Sequence, residues 1–153
     1  MLSRSNDMEL DFDFEKVKEQ TKDNPVFYVK YAHARINSIV RTLKTSLNDT
    51  ILAKPESFSP NEYEERIIRK IFEWPKIVES AAFKLEPHKI PFYLYELSTL
   101  FHSYWTKGND DNRFRFIQNG QIKRSEVLVV IYLIAIVLKN GMNILGVSLP
   151  EKM

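Results

Sequence analysis

The chain has 153 residues, 44% hydrophobic and 27% charged, with a formal net charge of +2. That size supports one domain with a real core, the composition excludes disordered and fibrous classes, and so small a charge does not by itself point to nucleic acid. The absence of cysteine excludes a disulfide-stapled secreted scaffold, a thiolate nucleophile and a thiolate zinc site.

In chain order, the first signal is the alternation of Met8, Leu10, Phe12 and Phe14 with Glu9, Asp11, Asp13 and Glu15, the period-two pattern of a half-buried strand. No partner strand has that pattern, so residues 1–22 read as an extended segment that packs as an arm or belongs with a preceding domain. The same N-terminus lacks the apolar run of a secretory signal and is too acidic for a mitochondrial presequence; a cytoplasmic location is expected. Asp23-Asn24-Pro25 marks a helix start, because Asn or Asp caps orphan N–H groups and proline suits the first turn. The apolar residues Val29, Ala32, Ile36, Ile39, Leu43 and Leu47 then step by three and four, widened by Val40, and form one core-facing stripe. Ser59 and Glu62 have capping-box spacing, which predicts a second helix from Pro60. Tyr63, Ile67, Ile68, Ile71, Phe72 and Trp74 are its apolar face. Pro75 lacks the donor that a helix interior needs, so a break at Trp74 is predicted, with a short third helix through Ile77, Val78, Ala81, Ala82 and Leu85.

From Pro87 to about Thr106 the three-four step returns as a fourth helix, with Pro91 in its first turn. Lys107 to Gln121 is a loop by composition, pinned to the surface by Phe114, Phe116 and Ile117. The last helix contains VLVVIYLIAIVL, Val127 to Leu138, whose 12 residues fall short of the ~20 that cross a bilayer. It reads as a core helix, and no membrane partner is expected. Gly141 is predicted as the left-handed residue that ends it, with MNILGVSLPEKM folding back as an apolar tail. The expected fold is all-α, a bundle of about five helices over residues 23–153.

Signatures of catalysis are missing. The chain has three histidines and four scattered glycines, with none of the usual phosphate-loop, dinucleotide, acyl-transfer or zinc motifs. No catalytic residue and no metal site is expected: Asp110-Asp111 reads as a solvated turn, and His33 as a half-buried helix histidine with no carboxylate to orient it.

Beside the core stripe of the first helix lies a second one, Tyr28, Tyr31, Arg35, Ser38 and Thr42. Single-stranded RNA is bound by stacking bases on aromatics and arginine planes while cations take phosphates, and this stripe has that composition. So does Tyr104-Trp105-Thr106-Lys107, followed by Arg113 and Arg115. Aromatics at helical spacing are more often packing residues, and periodicity alone leaves both readings open.

The string DNPVFYVKYAHARINSI, Asp23 to Ile39, closely resembles the segment by which arginyl-tRNA synthetases enter their C-terminal helical domain, usually NPV-aromatic-YVQYAHAR. YLYELSTLFHSYW, Tyr93 to Trp105, fits a helix of that domain. VLKNGMNILGVSLPEKM, Val137 to Met153, looks like its closing segment. The resemblance implies a DALR-type anticodon-binding domain that grips the anticodon loop of arginine tRNA, with residues 1–22 similar to the end of the catalytic domain. It implies no chemistry in this chain, because the HIGH-type and KMSK-type motifs are absent. The parent enzyme would use ATP and magnesium, and no cofactor is expected here.

By the same resemblance, Tyr31 and Arg35 fall on the YAHAR residues that face the anticodon loop. Trp105 falls where a tyrosine usually contacts a loop base, and Met153 matches the terminal methionine. Tyr28, Lys30, Tyr104 and Lys107 are secondary candidates; Lys30 replaces the customary glutamine and adds a cation. Val127 stands where the family commonly has an arginine, a contact that Lys123 or Arg124 could supply. The expected partners are arginine tRNA and the catalytic domain of a parent synthetase, with the chain a monomer. The rival expectation is a helical protein-interaction module that kept the fold without RNA binding.

Overall fold

The computed structural model describes residues 24–43, 58–124 and 126–150. The alternating segment Met8 to Phe14, Leu47 and Met153 lie outside the described residues. Among these there are four helices and one short hairpin: α1 (Pro25–Thr42), α2 (Glu62–Phe83), α3 (Lys89–Asp110), β1 (Ile117–Gln118), β2 (Gln121–Ile122) and α4 (Glu126–Ile144). The all-α expectation is met.

The start of α1 follows the local signal. The Asn24 side-chain oxygen accepts from the backbone N–H groups of Val26 and Phe27 at 3.1 and 3.3 Å, and Pro25 opens the helix. Val29, Ala32, Ile36 and Ile39 are buried as one stripe. The start of α2 departs from expectation. Asn61, not Ser59, is the cap, and Glu64, not Glu62, completes the box by accepting from the Asn61 N–H at 2.9 Å. Both pairs have the same spacing; a tertiary contact decides between them. Glu64 is 0% exposed and accepts from the Tyr104 hydroxyl and, at 3.0 Å, from Arg124. Arg124 also donates to the Ser59 carbonyl at 2.9 Å. Burial opposes the charge of Arg124, but the attraction of Glu64 and Glu126 outweighs it and raises its pKa.

Nor does Pro75 break the chain: α2 runs through it, so the predicted second and third helices are one. Trp74 packs on Tyr93 with ring centroids 5.2 Å apart, and Ile77 lies against the core on the far side of the proline. Packing on both sides carries the helix across one missing donor. At its end Leu85 takes the left-handed conformation (φ 55°). The Glu86 N–H donates to the Ala81 carbonyl and the Leu85 N–H to that of Ala82, a Schellman cap built without glycine.

The helices α3 and α4 each pack against all the others and form the centre. Pro91 sits in the first turn of α3, as expected. The polar loop after α3 holds an unforeseen hairpin in which Ile117 pairs with Ile122 and Gln118 with Gln121. Its turn is Asn119-Gly120, both at positive φ (53° and 71°), the two-residue connection that suits the twist of antiparallel strands. The loop reaches this place by folding back over Gly108, where a Cβ would lie 3.2 Å from the Arg115 Cα. Arg115 caps the end of α3, donating to the carbonyls of Gly108 and Asn109 at 2.9 and 3.0 Å.

By length and hydropathy α4 could cross a membrane, but here it is the core helix. Val127, Val130, Ile131, Ile134, Ala135, Val137, Leu138 and Met142 are all buried. It does not end at Gly141. That residue is helical and faces Leu94 of α3, and the left-handed glycine is Gly146 (φ 68°). Val147 and Gly146 donate to the carbonyls of Met142 and Asn143 and close a second Schellman cap.

Candidate nucleic-acid interface

The second stripe of α1 meets α3. Arg35 is the centre. Its guanidinium carbon lies 4.5 Å from the centroid of the Tyr31 ring, one helical turn before it, and 5.2 Å from that of Trp105 on α3. The Arg35 guanidinium also donates to the Tyr31 hydroxyl and, at 3.4 Å, approaches His102 Nδ1. Tyr31 is exposed, while Arg35 and Trp105 are half-buried. Thus the structure brings Tyr31, Arg35 and Trp105 together, although the chain separates Trp105 from the other two by a whole helix.

These three line a concavity of about 340 Å³ with Ser38, Arg41, Thr42 and Ile117. The lining thus combines apolar groups with the hydroxyls of Ser38 and Thr42 and the guanidinium cations of Arg35 and Arg41, and Ile117 comes from the hairpin. Trp105 also borders a second hollow of about 320 Å³ lined by Asn109, Arg115, Gln118 and Asn119. Its indole therefore has open space beside it in two directions.

The secondary candidates separate. Tyr104 is 2% exposed and belongs to the core, its phenol bonded to Glu64 and its ring stacked on Tyr63 at 5.9 Å. Burial and that carboxylate raise its pKa. Contrary to the expectation that it shares the exposed face, it is buried and does not line the concavity; one step of ~100° around the helix separates it from Trp105. Tyr28 is half-buried between α1 and α3, with its ring 5.1 Å from Tyr95 and 4.6 Å from His102. It is a packing residue at the base of the stripe, and burial raises its phenol pKa. Lys30 is half-buried and does not line the concavity, and Lys107 lies over the Phe114 ring at 5.5 Å, away from Arg35. Arg124, the suggested substitute for the missing family arginine, is spent on Glu64 and Ser59, and Val127 is fully buried.

Two contributors were not foreseen. The hairpin supplies Ile117 to both hollows; the Asn-Gly pair was its signal. His102 is 7% exposed and lies three residues before Trp105 on α3, with its ring stacked on Tyr31 at 5.3 Å. Burial first, and the Arg35 charge second, push it down to about 4, so it is neutral near pH 7. Among the described residues no group of histidine, aspartate or glutamate could hold a metal ion.

An all-helical core thus carries, on one face, two aromatic rings around an arginine. Residues 29–153 match the DALR anticodon binding domain, and the chain belongs to that family. Over 153 residues it is 48% identical to the arginine-tRNA ligase of Pelagibacter ubique, which takes in all of this chain and 26% of that protein. It is 46% identical over 158 residues to the arginine-tRNA ligase of Ruegeria pomeroyi, again over all of this chain and 27% of the relative. The chain thus spans about a quarter of the length of these relatives. A solved structure assigned as an arginyl-tRNA synthetase from Campylobacter jejuni superposes with a TM-score of 0.83 at 25% identity, covering 99% of this chain and 32% of that one. The arginyl-tRNA synthetase of Thermus thermophilus shares the fold, with a TM-score of 0.64 at 23% identity over 93% of this chain and 23% of its own.

Proposed function

We propose that this domain binds the anticodon loop of arginine tRNA and so presents the tRNA to the catalytic part of an arginine-tRNA ligase. The observation that carries this reading is the cluster of Tyr31, Arg35 and Trp105 around one concavity. Splayed loop bases stack on aromatic rings and guanidinium planes, each worth ~1–3 kcal/mol. Arg35 offers only donors, so it would select acceptor atoms on a base edge or a phosphate, while Arg41, which also lines the concavity, would take the backbone. Met153 joins the site in this reading. The activity itself belongs to the catalytic domain, which would supply the ATP and magnesium chemistry in the cytoplasm, with this chain acting as a monomer. Phe83 and Leu85, both exposed at the α2–α3 corner, suit an apolar contact with that domain.

Fluorescence anisotropy with arginine tRNA at two salt concentrations tests the reading. Affinity should fall as salt rises, because neutralised phosphates release counterions. Replacing Tyr31, Arg35 or Trp105 by alanine should each weaken binding by about tenfold or more, as expected for loss of one stacked base. Absence of binding at low salt, or indifference to all three changes, would leave the rival protein-interaction module as the better account.

A further inference from the structure

We propose that His102 is the positioning residue of the RNA-binding face: its neutral ring accepts a hydrogen bond from Arg35 at Nδ1 and so fixes the guanidinium plane between Tyr31 and Trp105. The inference rests on the tRNA-binding reading above and goes one layer beneath it.

A guanidinium has five N–H donors and no acceptor. The nitrogen that lies 3.4 Å from Arg35, His102 Nδ1, must therefore present a lone pair. That requires a neutral imidazole carrying its proton on Nε2, a buried nitrogen with no hydrogen-bond partner among the described residues, so the contact to Arg35 is held at the cost of one unpaired donor. The surroundings favour the neutral form: the ring is almost fully buried, packed among Tyr28, Tyr31 and Phe101 at 4.6, 5.3 and 5.6 Å, and the Arg35 cation adjoins it, which together outweigh an interaction with the Tyr28 backbone that favours charge. No carboxylate is bonded to it.

The consequence is a guanidinium held at two points on two helices. The Tyr31 hydroxyl accepts from one amino group on α1, and His102 accepts from the other from α3. An arginine side chain otherwise has several rotatable bonds to freeze when it binds, and a side chain already fixed in its bound orientation avoids that cost. The same imidazole lies face to face with the Tyr31 ring, a packing contact that serves stability.

Two substitutions separate orientation from packing. In His102→Phe the ring and its stacking remain but the acceptor is lost. In His102→Asn the side-chain oxygen replaces the Nδ1 acceptor but the ring is lost. The expected pattern is crossed. His102→Phe should keep the thermal midpoint near that of the parent chain and weaken arginine tRNA binding by about tenfold, which is ~1.4 kcal/mol. His102→Asn should melt earlier yet bind within about threefold of the parent. In an Arg35→Ala background His102→Phe should change affinity by less than about twofold. Nitrogen-15 spectra of the free protein at pH 6 should show a neutral His102 ring with its proton on Nε2.

A charged ring, or one protonated on Nδ1, overturns the proposal whatever the RNA does. So does affinity that follows stability, with His102→Asn the weaker binder, or a His102→Phe variant that binds like the parent. Should the parent chain itself fail to bind at low salt, the tRNA reading falls first and takes this role with it; binding by both parent and His102→Phe sinks only the role of His102.

Discussion

Replacing Gly141 with alanine sets two ordinary effects against each other, and the structure says which wins. In a helix interior alanine is better than glycine by roughly 0.5–1 kcal/mol, so a sequence-level argument predicts a more stable protein. A Cβ at position 141, however, would lie 2.6 and 2.7 Å from the two Leu94 methyl carbons and 3.0 Å from Leu94 Cγ. Leu94 is 0% exposed and has no solvent side into which to swing, so α3 and α4 must move apart or Leu94 must leave its rotamer. Overpacking of this kind costs about 1–3 kcal/mol. The net expectation is a loss of about 1–2 kcal/mol, or roughly 3–6 °C in midpoint for a chain of this size. Urea denaturation with an unchanged slope is the assay. The partner change Leu94→Ala should be less harmful in the Gly141→Ala background than alone, because the new methyl partly fills the space. A midpoint that rises in Gly141→Ala, or strict additivity of the pair, would refute the reasoning.

Leu85→Gly should stabilise the chain by about 0.5–1 kcal/mol in urea, since the left-handed backbone at φ 55° strains a leucine but not a glycine. Its side chain is 76% exposed and forfeits little packing; a lower midpoint would contradict this. Glu64→Ala should cost about 3–5 kcal/mol, because Arg124 and the Tyr104 hydroxyl lose their shared buried acceptor; a change under 1 kcal/mol would show that the network is dispensable. Acid should act through His102. Its folded pKa of about 4 lies below the ordinary 6.5, so between these values the unfolded chain binds more protons. The stabilisation is complete above about pH 6.5 and is lost as pH falls towards 4. Discounted for partial solvent screening, it amounts to about 2 kcal/mol. Urea midpoints at pH 7.5 and 4.5 should therefore fall further in the parent chain than in His102→Asn, and equal falls would remove His102 as the cause.

What could be read locally was read well where one rule dominated. Asn24-Pro25 placed the start of α1, and the three-four step of Val29, Ala32, Ile36 and Ile39 placed its buried face. Tyr31 and Arg35 share a face by spacing alone. Their meeting with Trp105 was not visible in that spacing, because it depends on how α3 crosses α1; only the family resemblance put the three in one site. Local rules failed where long-range contacts chose between equivalent local options. Ser59 with Glu62 and Asn61 with Glu64 fit the capping box equally, and burial of Glu64 against Tyr104 and Arg124 selected the second. Pro75 should interrupt a free helix, and Trp74 and Ile77 hold this one together. Tyr104 and Trp105 are neighbours of similar chemistry, and a single step around α3 put one in the core and the other beside Arg35. The hairpin was a different failure, since Asn119-Gly120 carried its signal within two residues while the polar composition around it read as plain loop.

The candidate cluster is divided between two helices: Tyr31 and Arg35 ride on α1, Trp105 and His102 on α3. Neither helix alone holds a usable half. The cluster therefore exists only in the fraction of molecules in which α1 is seated on α3, and a partial opening that lifted α1 would separate Tyr31 and Arg35 from Trp105 and His102. Binding and seating are then linked equilibria. A ligand that grips both helices stabilises their contact by mass action, so RNA would slow amide exchange along α1 more than along α2, and the affinity measured for the domain would include the free energy of keeping α1 in place.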